Sequence, residues 1–316
     1  MISTIDYHTG GEPFRIATGG VPDIPGRTVL ERRSNAVQVD HVRRLLCHEP
    51  RGHADMYGCF LVPPDDPGAH FGVLFWHKDG YSTACGHGTI ALGVHAVREG
   101  LVPAAPSGVT DVVIDVPSGR VVARVVCSEG RITSVTFRNV PSFVLARGVV
   151  ADGVKVDIAY GGAIYASVPA ASVGLSVTPG DLTALIARAR RIKADLAGHP
   201  ASLHPADDRL SGIYGVIFYD ELEPGRQRNV TVFADGEVDR SPCGSGTAAR
   251  LALLHGEGFT GTLVHESIVG TVFTGRVVEV TPQGVIPEID GMAYRTGHHS
   301  FELDPDDPLG TGFTLR

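Results

Sequence analysis

No stretch of this chain approaches the roughly 20 consecutive apolar residues a helix needs to span a bilayer, and no five like charges follow one another. A net charge of −8 and a pI near 5.9 leave no electrostatic basis for holding nucleic acid or an anionic membrane surface. The N-terminus, Met1 to His8, has no basic segment leading into an apolar one, so no secretory signal is expected. Cysteine is sparse and odd in number. The five, at 47, 59, 85, 127 and 243, show none of the close pairing of zinc ribbons or disulfide scaffolds. Reduced thiols in a cytoplasm, with small molecules as ligands, are the expectation. His53, His77, His255 and the His298-His299 pair lack metal-site spacing and read as surface or structural residues, so no metal is expected. Neither Gly-X-Gly of the chain extends to a dinucleotide fingerprint, and Ser245 stands in Gly-Ser-Gly, which is not a hydrolase elbow.

What the chain does have is a doubled stretch. Thr83-Ala84-Cys85-Gly86-His87-Gly88-Thr89-Ile90-Ala91 is echoed by Ser241-Pro242-Cys243-Gly244-Ser245-Gly246-Thr247-Ala248-Ala249, and both read Cys-Gly-X-Gly-Thr ahead of an apolar run. The two cysteines, at 85 and 243 of 316 residues, lie half a chain apart, which points to duplication into two similar lobes. Single cores also rarely grow past about 250 to 300 residues. Around each copy the order is strands, cysteine loop, helix, strands. The helices following the cysteines, about Thr89 to Glu99 and Thr247 to His255, are apolar nearly all round and should be buried. Further helices are expected over Thr28 to Cys47 and Asp181 to Ala197. Strand-like patterning marks Ile2 to His8, Met56 to Val62, His70 to His77, three runs within 111 to 145, Val154 to Ala159, Ala163 to Val168, Ile213 to Tyr219 and Val230 to Phe233. It resumes over Thr262 to Ile268, Thr271 to Val280 and Met292 to Leu303. No linker marks the division. It is placed at 1–147 for the first lobe and 148–295 for the second, with the tail from about 296 to 316 packing back onto the first.

A cysteine at the start of a helix sits at the positive end of the macrodipole, which favours its thiolate. The Gly-X-Gly after it removes side chains, so backbone N–H groups can close around an anion such as a carboxylate. If both loops face one cavity, two sulfurs flank the carbon next to that carboxylate. One thiolate then takes the α-proton and one thiol returns a proton to the opposite face, and the pair titrates as a unit. The N–H donors stabilise the carbanion intermediate. No pyridoxal or other cofactor is required.

The residues carrying this chemistry resemble the proline racemase family, which includes proline racemases, hydroxyproline 2-epimerases and trans-3-hydroxy-L-proline dehydratases. The resemblance runs through His8-Thr9-Gly10-Gly11-Glu12-Pro13, Glu49-Pro50-Arg51-Gly52-His53, Cys85-Gly86-His87-Gly88, Val156-Asp157-Ile158-Ala159-Tyr160-Gly161-Gly162, Asp239-Arg240-Ser241-Pro242-Cys243-Gly244-Ser245-Gly246 and Asp306-Asp307-Pro308. It implies an α+β fold of two diaminopimelate epimerase-like lobes, each a curved sheet around a buried central helix, with the active site in the cleft between. It implies Cys85 and Cys243 as the acid/base pair. It also implies that Gly86, His87, Gly244 and Ser245 hold the carboxylate and that Asp239, with His87, contacts the ring nitrogen. The specificity positions beside the ring fall on Tyr57, Tyr214 and Phe233. A homodimer is common in the family.

The pocket trio and Gly80-Tyr81-Ser82-Thr83 look like the dehydratase branch, where threonine is common at the second acid/base position, but this chain has Cys243. A second thiol favours epimerisation, so the expected activity is inversion at the α-carbon of a proline-type imino acid, foremost hydroxyproline. Dehydration of trans-3-hydroxy-L-proline is the alternative. Proline racemisation, a non-catalytic imino-acid binding protein and a thiol redox protein linking Cys85 to Cys243 rank below.

Overall fold

The computed structural model describes residues 1–315. The chain divides into two compact units, Met1–Val135 with Met292–Arg316, and Thr136–Gly291. The chain passes between them at 135/136 and 291/292. The boundaries expected from sequence were 147/148 and 295/296; the strand Phe143–Ala151 runs through the first of these positions and Ala293–Phe301 through the second.

The first unit is a mixed sheet. Ala293–Phe301, Ile2–Thr9 and Glu12–Gly19 pair antiparallel in that order. Gly58–Val62 joins Glu12–Gly19 in parallel, then Phe71–His77 antiparallel, Gly108–Val116 in parallel and Gly119–Ser128 antiparallel. Strands from both ends of this order, Ala293–Phe301 and Gly119–Ser128, pack on the helix Gly86–Arg98. The sheet therefore curls around that helix, which explains why its sequence is apolar nearly all round: every residue from Gly86 to Ala96 is buried. Two shorter helices cover the sheet elsewhere, where Val29, Leu46, Cys47, Phe60, Leu74 and Trp76 form part of an apolar cluster. The single helix expected over Thr28 to Cys47 is broken into Val29–Asn35, a 3-10 turn Ala36–Val39, and Asp40–Cys47. Apolar periodicity fails there, since Val37 is 72% exposed between buried Ala36 and Val39.

The second unit repeats the plan. Phe143–Ala151, Val154–Tyr160 and Ile164–Pro169 pair antiparallel, and Ile213–Glu223 follows in parallel. Arg226–Phe233 pairs with it antiparallel and with Leu263–Ser267 in parallel. Val272–Thr281 and Gly284–Gly291 complete the order. Again both end strands, Phe143–Ala151 and Gly284–Gly291, touch the central helix, Gly244–Gly256. The sequence reading missed Gly284–Gly291 because Pro287 sits in its middle, a residue that cannot donate to a ladder.

One buried ion pair anchors the first unit. Arg15 holds Asp6 through its Nε and Nη2 and spends Nη1 on the carbonyls of Leu46 and Arg51 at 2.7 and 2.8 Å. Arg51 in turn donates to the Gly310 carbonyl and lies 3.6 Å from Asp307. The Glu49–His53 and Asp306–Pro308 motifs thus fasten the C-terminal tail to a loop of its own unit. Removing one partner of a buried pair costs about 3 to 5 kcal/mol. Asp6→Ala is therefore expected to lower stability by that order in urea unfolding, and a loss below about 1 kcal/mol, typical of exposed pairs, would remove the pair from this role.

Candidate active site

In the first unit the helix starts at Gly86 and not at the expected Thr89, so Gly86-His87-Gly88 is its first turn and Cys85 is its N-cap. Cys85 is extended (φ −156°, ψ 105°) and its Sγ accepts the Gly88 N–H at 3.2 Å. A sulfur at a helix N-terminus receiving an N–H is in surroundings that favour the thiolate. Glycine at 88 is a steric requirement: a Cβ there would meet the buried Phe14 ring at 2.5 Å and the sulfur at 2.7 Å. The His87 imidazole flanks the sulfur, Nδ1 to Sγ 3.4 Å. Edge-to-face contacts with Phe14 and Tyr57, at 5.7 and 5.1 Å between ring centres, fix its plane. The Tyr57 and Ser82 hydroxyls share a hydrogen bond at 2.5 Å. Thr9 Oγ1 donates to the His87 carbonyl at 2.9 Å. Gly10 and Gly11, both with positive φ (60° and 95°), make the tight turn after it. The His8–Pro13 motif therefore ties a hairpin to the mouth of the cysteine helix.

In the second unit the helix starts at Gly244, again three residues before the expected Thr247, and Cys243 is the cap. Its backbone is unlike that of Cys85. At φ 62° and ψ 98° it occupies a region that side-chain-bearing residues rarely visit, a strain of about 1 to 3 kcal/mol that clusters at functional sites. A short relay holds it there. The Cys243 N–H donates to Ser241 Oγ at 3.0 Å, and the Ser241 hydroxyl and N–H donate to Asp239 Oδ1 at 2.7 and 2.8 Å. Cys243 belongs to a buried apolar cluster with Ala159, Ala163, Tyr165, Ile217 and Ala249, and Tyr214 packs against that cluster. Burial, and then the Asp239 carboxylate, push the Cys243 thiol far above the ordinary thiol range; the Thr231 hydroxyl and Gly246 N–H act in the opposite direction without offsetting them.

The Tyr214 and Phe233 rings stack at 5.6 Å, and Tyr165 meets Tyr214 edge-on at 5.8 Å while its hydroxyl bonds Ser245 Oγ at 2.7 Å. Gly161 lets its strand end approach the helix: a Cβ there would lie 2.4 Å from the Ser245 carbonyl oxygen. Behind the first turn, buried His265 bonds Thr247 through Nδ1 at 2.7 Å, and burial followed by Arg250 brings its pKa down to about 3, so it stays neutral.

Cys85, Gly86, His87 and Tyr57 therefore gather at one helix mouth within the first unit. Asp239, Cys243, Gly244, Ser245, Tyr214 and Phe233 gather around the corresponding mouth within the second. Reasoning from sequence did not single out Thr9, Phe14, Ser82, Tyr165 or Ser241. Thr9 and Ser241 stand inside the motif strings and were there to be found; Phe14 and Tyr165 look like any strand aromatic. Cys47, Cys59 and Cys127 are buried and form no disulfide, as expected of core thiols.

A family model described as proline racemase matches residues 4–314. The chain belongs to the proline racemase family. Over its full length it is 45% identical to a trans-3-hydroxy-L-proline dehydratase of Bacillus thuringiensis, covering 98% of that protein. It is 43% identical to the human protein of the same name, covering 95% of it. Among solved structures, a hydroxyproline epimerase from Agrobacterium vitis with bound trans-4-hydroxy-L-proline superposes with a TM-score of 0.91 at 32% identity, over 99% of this chain and 95% of that one. The expected α+β family fold is the fold of these neighbours, and the family is one of enzymes, dehydratases and epimerases among them. Of the two expected activities, the comparisons give more support to the alternative, dehydration: the relatives named above at 43 and 45% identity are called dehydratases, whereas the epimerase stands at 32%.

Two measurements probe this geometry. Iodoacetamide at pH 8 is expected to alkylate Cys85 ahead of Cys243, read by peptide mass spectrometry, and equal rates would remove the asymmetry between the thiols. Gly88→Ala is expected to shift the Cys85 sulfur and lower kcat/KM by about 100-fold, the effect of roughly 1 Å of misplacement, with circular dichroism unchanged.

Proposed function

We propose that the protein is a trans-3-hydroxy-L-proline dehydratase in which Cys85 is the base and no cofactor takes part. The observation that carries this reading is full-length similarity, at 43 to 45% identity, to relatives of that name from bacteria and human. The stereochemistry of that substrate explains why a cysteine at 243 does not decide against it. In trans-3-hydroxy-L-proline the hydroxyl and carboxylate lie on opposite ring faces, so the α-hydrogen and the hydroxyl share a face. A thiolate on that face takes the α-proton, and the thiol so formed hands the proton to the departing hydroxyl. The C–H electron pair becomes the C2–C3 double bond, the C–O bond breaks and water leaves. The enamine then tautomerises to Δ1-pyrroline-2-carboxylate. Acid and base are one residue acting in sequence, so elimination needs a single cysteine.

Both cysteines are buried at a helix start and receive an N–H. Support for Cys85 as the base is the His87 imidazole beside its sulfur, set against a Cys243 thiol that burial and then the Asp239 carboxylate push up. The branch of the family with threonine at the second position has no thiol there and still dehydrates, which agrees with the first cysteine as base. The N–H groups of Gly86, His87, Gly244 and Ser245 hold the substrate carboxylate and stabilise charge as it builds at the α-carbon. Asp239, with His87, meets the ring ammonium, and Tyr57, Tyr214 and Phe233 line the ring.

Epimerisation has one specific observation in its favour. A protonated Cys243 thiol is the donor that inversion requires, so this chain is expected to exchange α-hydrogen as well as eliminate. Proton NMR in D2O with trans-3- and trans-4-hydroxy-L-proline separates the two activities. The 3-hydroxy substrate is expected to give the pyrroline carboxylate. Cys85→Ser should cut that rate by at least about 100-fold, as loss of a general base does, and Cys243→Ser by at least about tenfold less than Cys85→Ser. Accumulation of a 2-epimer of either substrate without water loss would establish epimerisation as the main activity.

A further inference from the structure

Tyr165 lies outside every family motif, on the strand Ile164–Pro169, and is 1% exposed. A phenol so deep in an apolar cluster needs a partner for its hydroxyl, and that partner is Ser245 Oγ at 2.7 Å. Ser245 is the second residue of the helix Gly244–Gly256, in the turn whose N–H groups find no acceptor within the helix. A serine in such a turn has a competing outlet. Its Oγ, if loose, accepts from neighbouring backbone N–H groups, the tendency that makes serine a capping residue. Each N–H taken in that way is withdrawn from an incoming carboxylate.

We infer that Tyr165 is a positioning residue: it draws the Ser245 hydroxyl away from the helix mouth and so keeps the backbone N–H donors there open for the substrate carboxylate. The inference rests on the reading that this mouth receives that carboxylate. Two further observations fit it. The Tyr165 ring also meets Tyr214 edge-on, so one side chain braces both the carboxylate end and an aromatic wall. Burial, then the nearby Cys243, hold the phenol's pKa well above its usual range, so it remains a neutral hydroxyl at any working pH.

Tyr165→Phe keeps the ring and removes only the hydroxyl. With Ser245 present, the substitution is expected to raise KM for trans-3-hydroxy-L-proline about tenfold and to lower kcat as well, because the donors withdrawn also stabilise charge in the transition state. In a Ser245→Ala background, where no hydroxyl is left to compete, the same substitution should raise KM less than about twofold, which makes the two changes strongly non-additive. Calorimetric titration with pyrrole-2-carboxylate, a flat ring carboxylate that cannot react, should show the same pattern in Kd. An equal rise in both backgrounds means that Tyr165 acts through packing alone, and no rise in either means that it does not act on binding; both results overturn the inference. A wild-type chain that neither turns over the hydroxyproline nor binds pyrrole-2-carboxylate overturns the underlying reading, and the inference with it.

Discussion

The constraint on which the rest of this structure depends is the buried start of a helix. The first turn of any helix carries N–H groups with no acceptor inside the helix, and burying such groups without partners is costly. Here each unit wraps a curved sheet around one helix and buries its first turn, from Gly86 in one case and Gly244 in the other. Water is largely excluded from both ends, so the donors depend on what the chain or a ligand supplies. In the first unit a cysteine sulfur takes one of them. The same donors that the fold must satisfy are the ones that attract an anion, which makes a carboxylate the natural guest.

Two copies of one motif do not give two copies of one thiol. Cys85 is an ordinary extended N-cap whose sulfur receives an N–H and sits against the His87 imidazole. Cys243 is held in a strained backbone conformation by the Ser241 relay to Asp239, within an apolar cluster. Both sulfurs are buried, but at Cys243 the Asp239 carboxylate adds to burial in disfavouring a thiolate, whereas Cys85 lies beside the His87 imidazole. The two units share one plan, and the residues at 239, 241 and 87 make the surroundings of their cysteines different.

How far the sequence could be read follows from how local each signal is. The Cys-Gly-X-Gly-Thr repeat and the apolar runs after it are contiguous, and they disclosed both central helices. They misplaced both starts by three residues, because glycine argues for a loop on propensity alone. In the structure the sterics reverse that argument: a side chain at 88 would collide with Phe14 and the Cys85 sulfur. Regular alternation disclosed most strands, but a proline hid Gly284–Gly291 and a change of period hid the break between Val29–Asn35 and Asp40–Cys47. Tyr165 was not legible at all. Its partner is Ser245, far along the chain, and no spacing rule connects a strand aromatic to the second residue of a distant helix.

The choice between elimination and inversion then lies as much in the substrate as in the protein. Both begin with the same loss of an α-proton to give a carbanion stabilised by a bound carboxylate and fixed N–H dipoles. If a hydroxyl stands at the adjacent carbon on the face of the thiol just formed, that thiol's proton meets a leaving group at once, and water departs. If no hydroxyl stands there, the carbanion can only be reprotonated, and the face depends on which thiol carries the proton. Under the proposed function, a threonine at the second position leaves elimination intact and weakens inversion, whereas a cysteine there keeps both routes open. A family holding dehydratases and epimerases on one fold is what this chemistry entails, because only the proton's destination separates the two reactions.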